Sequence, residues 1–123
     1  MRFFLTMLFM LLPLAAQDAP APPRKGPPAP KNLKVLTPED LRSGIMMTYV
    51  QSLGVAQSGG CLFCHAQGGG RDSDDNPKKL TARTMITMVK DINTKLGAEA
   101  GKPMVTCYTC HRGKNIPETA PSQ

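Results

Sequence analysis

Two short stretches hold every cysteine and every histidine of the chain: Cys61-Leu62-Phe63-Cys64-His65 and Cys107-Tyr108-Thr109-Cys110-His111. Both read Cys-x-x-Cys-His. Thiols at this spacing can add across the two vinyl groups of one haem, and the histidine that follows is then placed under the iron. The remaining ring N–H needs an acceptor, usually a backbone carbonyl, which fixes the orientation of the imidazole. The spacing therefore predicts c-type haem attachment at Cys61, Cys64, Cys107 and Cys110, with His65 and His111 as proximal iron ligands. Two covalently attached haems c are implied. Three rival chemistries fit less well. A thioredoxin-like redox pair needs a βαβ setting, and no segment alternates as a strand would. A Cys₄ zinc site would suit two Cys-x-x-Cys knuckles, but the pairs stand 46 residues apart and zinc gives no reason for a histidine after each. Two disulfides suit an oxidising compartment and also leave the histidines unexplained.

The sixth position on each iron is the next question. No third histidine exists, so ligation by two histidines is excluded within one chain. Thioether is the usual partner in electron-transfer haems and raises the potential. Beyond residue 16 the chain has Met46, Met47, Met85, Met88 and Met104. Met46 lies 15 residues before Cys61, and Met85 lies 22 before Cys107. The domain thus reads as a repeat of helix with Met, loop, then Cys-x-x-Cys-His. Core filling is the plain alternative for any helical methionine. Met88, one turn from Met85 on nearly the same face, is the nearest rival.

The elements that must position these groups are helical. Thr37-Pro38-Glu39-Asp40 is a helix start, with Thr as N-cap, Pro at the first position and acids in the first turn. Leu41, Ile45, Met46, Tyr49 and Leu53 follow at helical spacing, and Gly54 ends the run. A second helix starts at Asn76-Pro77, carries Leu80, Met85, Met88, Val89 and Ile92, and stops at Leu96-Gly97. Polar and Gly-rich loops run from Gly68 to Asn76 and from Gly97 to Pro103. The expected fold is mostly α: two helix–loop–Cys-x-x-Cys-His units packed around covalent haems.

Composition agrees. The chain has 123 residues, no Trp, four Phe and two Tyr, and three of the Phe lie in the first nine residues. Residues 1–16 have the positive start, apolar run and small-residue end of a secretory signal, too short to span a bilayer as a helix. Residues 17–31 are a Pro-rich flexible tether. Residues 32–118 form the domain and residues 119–123 a disordered tail. So small an aromatic complement leaves a domain of about 100 residues in need of a staple, which two haem plates supply. Export places the protein in the periplasm or on the outer face of the cytoplasmic membrane. The formal charge of +6 falls to +5 once Arg2 leaves with the signal, and the propionates of two haems bring it close to neutral. Nucleic-acid binding is therefore not implied. Lys78, Lys79, Arg83, Lys90 and Lys95 cluster on the second helix, either as a solvated face or as a docking patch for an acidic partner or anchor for propionates.

Five stretches resemble one family, the cytochrome c subunit of photosynthetic reaction centres: Pro30 to Leu36, Met46 to Gly54, Gly60 to His65, Ala82 to Asn93 and Val105 to Gly113. In that family each Met-ligated haem takes its methionine from the helix preceding its motif. The resemblance therefore implies Met46 for the haem on Cys61, Cys64 and His65, and Met85 for the haem on Cys107, Cys110 and His111. The family subunit carries four haems, and this chain matches one two-haem half. Where the family has a histidine between the second helix and its motif, this chain has Glu99. The lipid-anchoring cysteine of many members is also missing.

The expectation is an exported di-haem c-type cytochrome that carries single electrons between redox partner proteins and is not an enzyme. One alternative is the electron donor subunit of a photosynthetic reaction centre, within a membrane-associated complex. Another is a haem enzyme of peroxidase type or a haem sensor, which would need an open iron with an acid–base group beside it.

Overall fold

The computed structural model describes Gly26, residues 28–68 and residues 70–121. The expected export signal and nearly all of the expected tether lie outside the described residues. From Pro28 to Leu36 the backbone has no regular structure, and the first helix opens at Pro38.

Helix α1 (Pro38–Arg42) starts as its sequence dictates. Thr37 Oγ1 accepts from the Asp40 N–H at 3.2 Å, and Asp40 returns the bond to the Thr37 N–H at 2.8 Å. This reciprocal cap satisfies two donors that the first turn would otherwise orphan. The Thr37 N–H also holds the Asp40 carboxyl below its ordinary value, with Lys90 adding a smaller pull.

The sequence pattern runs from Thr37 to Leu53 as one helix, and the structure breaks it in two. Ser43 closes α1 by donating its hydroxyl to the Asp40 carbonyl at 2.7 Å. Gly44 then takes φ +79, a left-handed conformation open to glycine at no steric cost. Helix α2 (Ile45–Leu53) follows, capped by Gly54 at φ +65. The apolar positions Leu41 and Ile45 keep helical spacing across a turn that is not helix. A short-range break of this kind is invisible to periodicity.

Two 3₁₀ turns follow, Ala56–Ser58 and Gly60–Phe63, and the second holds Cys61 to Phe63 of the first motif. Gly59 at φ +113 and Gly60 at φ +53 turn the chain so tightly that the motif closes as 3₁₀. Helix α3 (Pro77–Lys95) has the bounds its sequence suggests: Asn76 Oδ1 accepts from the Lys78 N–H at 3.0 Å, and Gly97 at φ +70 stops it. Helix α4 (Cys107–His111) holds the second motif entire, and Arg112 in the left-handed region ends it. The two Cys-x-x-Cys-His stretches thus adopt different local structures. Among the described residues there is no β-strand.

The two helix-and-motif units interlock. Helix α4, from the second unit, packs on α2 from the first as well as on α3. Its following residue, Gly113, donates its N–H to the Ser52 carbonyl at 2.9 Å. The contact is backbone on backbone: a Cβ on Gly54 would overlap the Gly113 carbonyl. Little else is buried. Among the described residues only Val55 and Ile86 are buried apolar side chains, joined by Ser52. Leu80, Met85 and Met88 on α3, with Leu96 just beyond it, all stay substantially exposed.

Candidate haem sites

Both histidines are pinned in the same way. His65 Nδ1 lies 3.1 Å from the Arg71 carbonyl oxygen, and His111 Nδ1 lies 2.9 Å from the Lys114 carbonyl oxygen. A carbonyl only accepts, so each Nδ1 is the donor and Nε2 is the ring nitrogen left for another partner. That is the tautomer a metal-ligating histidine requires, held by the outer-shell bond that such ligands need. Burial lowers the His65 ring below its ordinary value; the Arg71 carbonyl opposes this, and the charges of Lys79 and Arg71 reinforce it. His65 is accordingly neutral at neutral pH.

Cys61, Cys64, Cys107 and Cys110 are all unbridged. Among the described residues no three His, Cys, Asp or Glu side chains gather to hold a metal ion, so the two pairs do not form a Cys₄ zinc site. Burial raises the Cys64 thiol, partly offset by the charge of Lys78, and burial likewise raises Cys107.

Helix α3 ties both motifs in place through two asparagines. At its N-terminus Asn76 Nδ2 donates to the Phe63 carbonyl inside the first motif at 3.1 Å. Lys78 Nζ sits 3.8 Å from the centroid of the same Phe63 ring. Near its C-terminus Asn93 Nδ2 donates to the Val105 carbonyl at 2.7 Å, and Asn93 Oδ1 accepts from the Met104 and Val105 N–H groups at 2.8 and 2.9 Å. These bonds hold the strap that leads into α4. Asn93 did not stand out in the sequence, although an asparagine deep in a helix is a signal in itself. Its side chain competes with the helix backbone unless it has tertiary partners.

Three basic residues of α3, Lys79, Arg83 and Lys90, are engaged within the molecule. Lys79 donates to the carbonyls of Arg71 at 2.9 Å and Ser73 at 2.6 Å, and pairs with Asp74 at 3.1 Å. Arg83 pairs with Asp74 at 2.9 Å and donates to the Asn32 carbonyl at 3.2 Å. Lys90 donates to the Val35 carbonyl at 2.6 Å. Asn32 closes the clasp by donating to Asp74 at 2.9 Å. Asp74 is held far below the usual carboxylate range, chiefly by Arg83. The side chains of Lys79 and Arg83 are only 12% and 16% exposed, so these two are structural ties and do not belong to a solvated or docking face.

The methionines separate by exposure. Met46 is half-buried on α2, whereas its neighbour Met47 is 55% exposed. Met85 and Met88 are similarly exposed on α3, at 39% and 44%. Glu99 stands in the loop after α3, paired with Lys102 at 3.0 Å.

Cys110 and His111 line an open groove of about 600 Å³, together with Pro117 to Pro121. A paired-thiol motif, an oriented imidazole, an adjoining groove and uncovered apolar side chains on α3 fit a covalently attached haem. No helix among the described residues is long and apolar enough to cross a membrane.

Comparison with known proteins gives the same family. The model of the photosynthetic reaction centre cytochrome c subunit matches residues 11–122. A protein of that name from Thermochromatium tepidum is 32% identical over 107 residues, covering 85% of this chain and 26% of its own length. Its namesake from Rubrivivax gelatinosus is 38% identical over 64 residues, 52% of this chain and 17% of the relative. A third, from Roseobacter denitrificans, is 38% identical over 71 residues, 51% of this chain and 18% of the relative. The chain thus spans about a quarter or less of these relatives' length. No solved structure matches. On the length of the family match, this chain belongs to the photosynthetic reaction centre cytochrome c subunit family.

Proposed function

We propose that this protein is an exported di-haem c-type cytochrome that accepts and passes on single electrons and catalyses no substrate chemistry. The observation that carries the reading is the repeated pinning of a histidine: in both Cys-x-x-Cys-His motifs Nδ1 donates to a backbone carbonyl, leaving Nε2 for iron. Haem c, when bound, supplies a one-electron ferric–ferrous couple. Everything else is the work of the chain. Cys61 with Cys64, and Cys107 with Cys110, would hold the two groups by thioether bonds. His65 and His111, together with Met46 and Met85, would supply the iron ligands. A methionine ligand would leave each iron closed to exogenous ligands. Asn76 and Asn93 hold the motifs at the two ends of α3 and so limit rearrangement between redox states.

Residues 1–16 serve as the export signal, residues 17–31 as a tether and residues 32–118 as the domain, which places the protein in the periplasm or on the outer face of the cytoplasmic membrane. Its partners are redox proteins, not nucleic acids. The relatives' names favour one refinement: donation of electrons to a photosynthetic reaction centre, within a membrane-associated assembly.

The test uses the chain expressed with haem-attachment machinery and reduced under carbon monoxide. A carrier with both irons six-coordinate leaves the reduced spectrum unchanged. Fast stoichiometric binding would replace this reading with an enzyme or sensor. For the refinement, the reduced protein is mixed with flash-oxidised reaction centres. Re-reduction faster than by a small-molecule donor supports donation, and no acceleration contradicts it.

A further inference from the structure

The two histidine bonds differ in what else touches the acceptor. The Arg71 carbonyl that receives His65 Nδ1–H at 3.1 Å also receives the Lys79 ammonium at 2.9 Å. Lys79 is not a loose surface charge. Its three N–H donors meet three acceptors: the carbonyls of Arg71 and Ser73 and the carboxylate of Asp74. Its side chain is 12% exposed, and Asp74 is itself gripped by Arg83 and Asn32. The ammonium is therefore held against the carbonyl by a rigid loop. At the second motif the Lys114 carbonyl receives His111 Nδ1–H at 2.9 Å, while Lys114's own ammonium turns away to Glu118.

We propose that Lys79 is a positioning residue for the first haem: by sharing the Arg71 carbonyl with His65, it weakens the acceptor behind that imidazole and sets the first iron's potential above the value its ligands alone would give. The physical reason is competition for one oxygen. A carbonyl that accepts a ring N–H pushes electron density into the imidazole and raises its basicity towards iron, which favours the ferric state. A cation bonded to the same oxygen polarises it the other way and reduces that push. Helix α3 makes this possible by carrying Lys79 at its first turn, directly over the Arg71–Asp74 loop. The second motif has no equivalent, so the chain contains a device for holding two similar haems at different potentials. The inference rests on the haem ligation proposed above.

The experiment is a redox titration of the holoprotein, with the wave of the first haem identified by its loss in Cys61→Ala/Cys64→Ala. Lys79→Met keeps the stem and removes the ammonium. It is expected to lower the first wave, leave the second in place, and move the Nδ1 proton signal of His65 but not of His111. Lys79→Arg, which restores a cationic donor, is expected to return the wave towards the parent. Asp74→Asn, which keeps the shape but frees the two cations from their carboxylate, is expected to raise the first wave. Equal shifts of both waves would show a general charge effect and overturn the proposal. So would an unmoved first wave, or a Lys79→Met and Asp74→Asn pair that shift in the same direction. If the parent protein shows only one wave and one haem, the ligation itself fails and the proposal falls with it.

Discussion

The four helical methionines separate the ligand reading from core filling. Met46→Leu and Met85→Leu preserve volume and apolarity, so packing changes little. Each is expected to remove half of the methionine–iron charge-transfer absorption of the ferric protein and to open one iron to carbon monoxide. Met47→Leu and Met88→Leu are expected to do neither. Met47 projects about 100° away from Met46 around the helix, and its 55% exposure agrees with a side chain outside the site. If Met88→Leu alone loses the band, α3 presents its ligand one turn later than proposed. Tyr49 offers a second residue-scale test. Burial, with smaller contributions from the charges of Cys107 and Asp40, pushes its hydroxyl from 10.0 up to about 12. The folded state therefore keeps a proton that the unfolded chain gives up near pH 10. The stability tied to that proton is complete below pH 10 and is lost as pH rises towards 12. Thermal midpoints measured from pH 9 to 12 should fall more steeply in the parent than in Tyr49→Phe, and parallel curves would contradict the burial of this ring. What was legible at this scale is local: two five-residue motifs point to c-type haem, and in both the structure holds the histidine by a backbone carbonyl. The ties of Arg83 and Lys90 were not legible for the opposite reason. Their acceptors in the Asn32–Val35 segment are more than 50 positions away, so the charge cluster left a solvated face and a docking patch both open.

Helices and turns follow the same division between near and far. Helix α3 was legible to its ends because Asn76, Pro77 and Gly97 are local signals. The break before α2 was not, since apolar spacing passes over Ser43-Gly44 unchanged. Two glycines in the same left-handed conformation now give a controlled comparison. A Cβ at Gly44 meets nothing within 4 Å, so Gly44→Ala carries only the backbone penalty, about 1–2 kcal/mol. A Cβ at Gly54 overlaps the Gly113 carbonyl, where α4 docks on α2. Gly54→Ala should therefore cost clearly more in denaturant melts and should reduce haem incorporation at the second motif selectively. Equal costs would mean that the α2–α4 contact is not close. The crosswise docking itself was not legible: it joins Ser52 to Gly113 by their backbones, and backbone contacts leave no side-chain pattern. The tethers at Asn76 and Asn93 escaped notice in the same way, though they lie 17 residues apart, about 25 Å along the axis of α3.

At the scale of the molecule, the chain is short of core. Val55 and Ile86 are its buried apolar side chains among the described residues, while Leu62, Leu80, Met85, Met88, Leu96 and Tyr108 remain exposed. A domain so constituted gains much of its stability from what it binds, as small metallo-domains do. On the proposed haem ligation, the four cysteines and two histidines would be as much structural as redox residues. The same balance explains why the sequence could indicate the helical class while leaving the arrangement of the units open: on the proposed reading, the plates that organise the interior are not part of the chain. The central claim is that each motif carries one haem, and the mass of the intact, denatured protein tests it most directly. Expressed with haem-attachment machinery and unfolded in acid, the chain is expected to weigh its polypeptide mass plus two haems, falling to one in Cys61→Ala/Cys64→Ala or in Cys107→Ala/Cys110→Ala. A bare polypeptide mass, or one lighter by the four hydrogens of two disulfides, would contradict it.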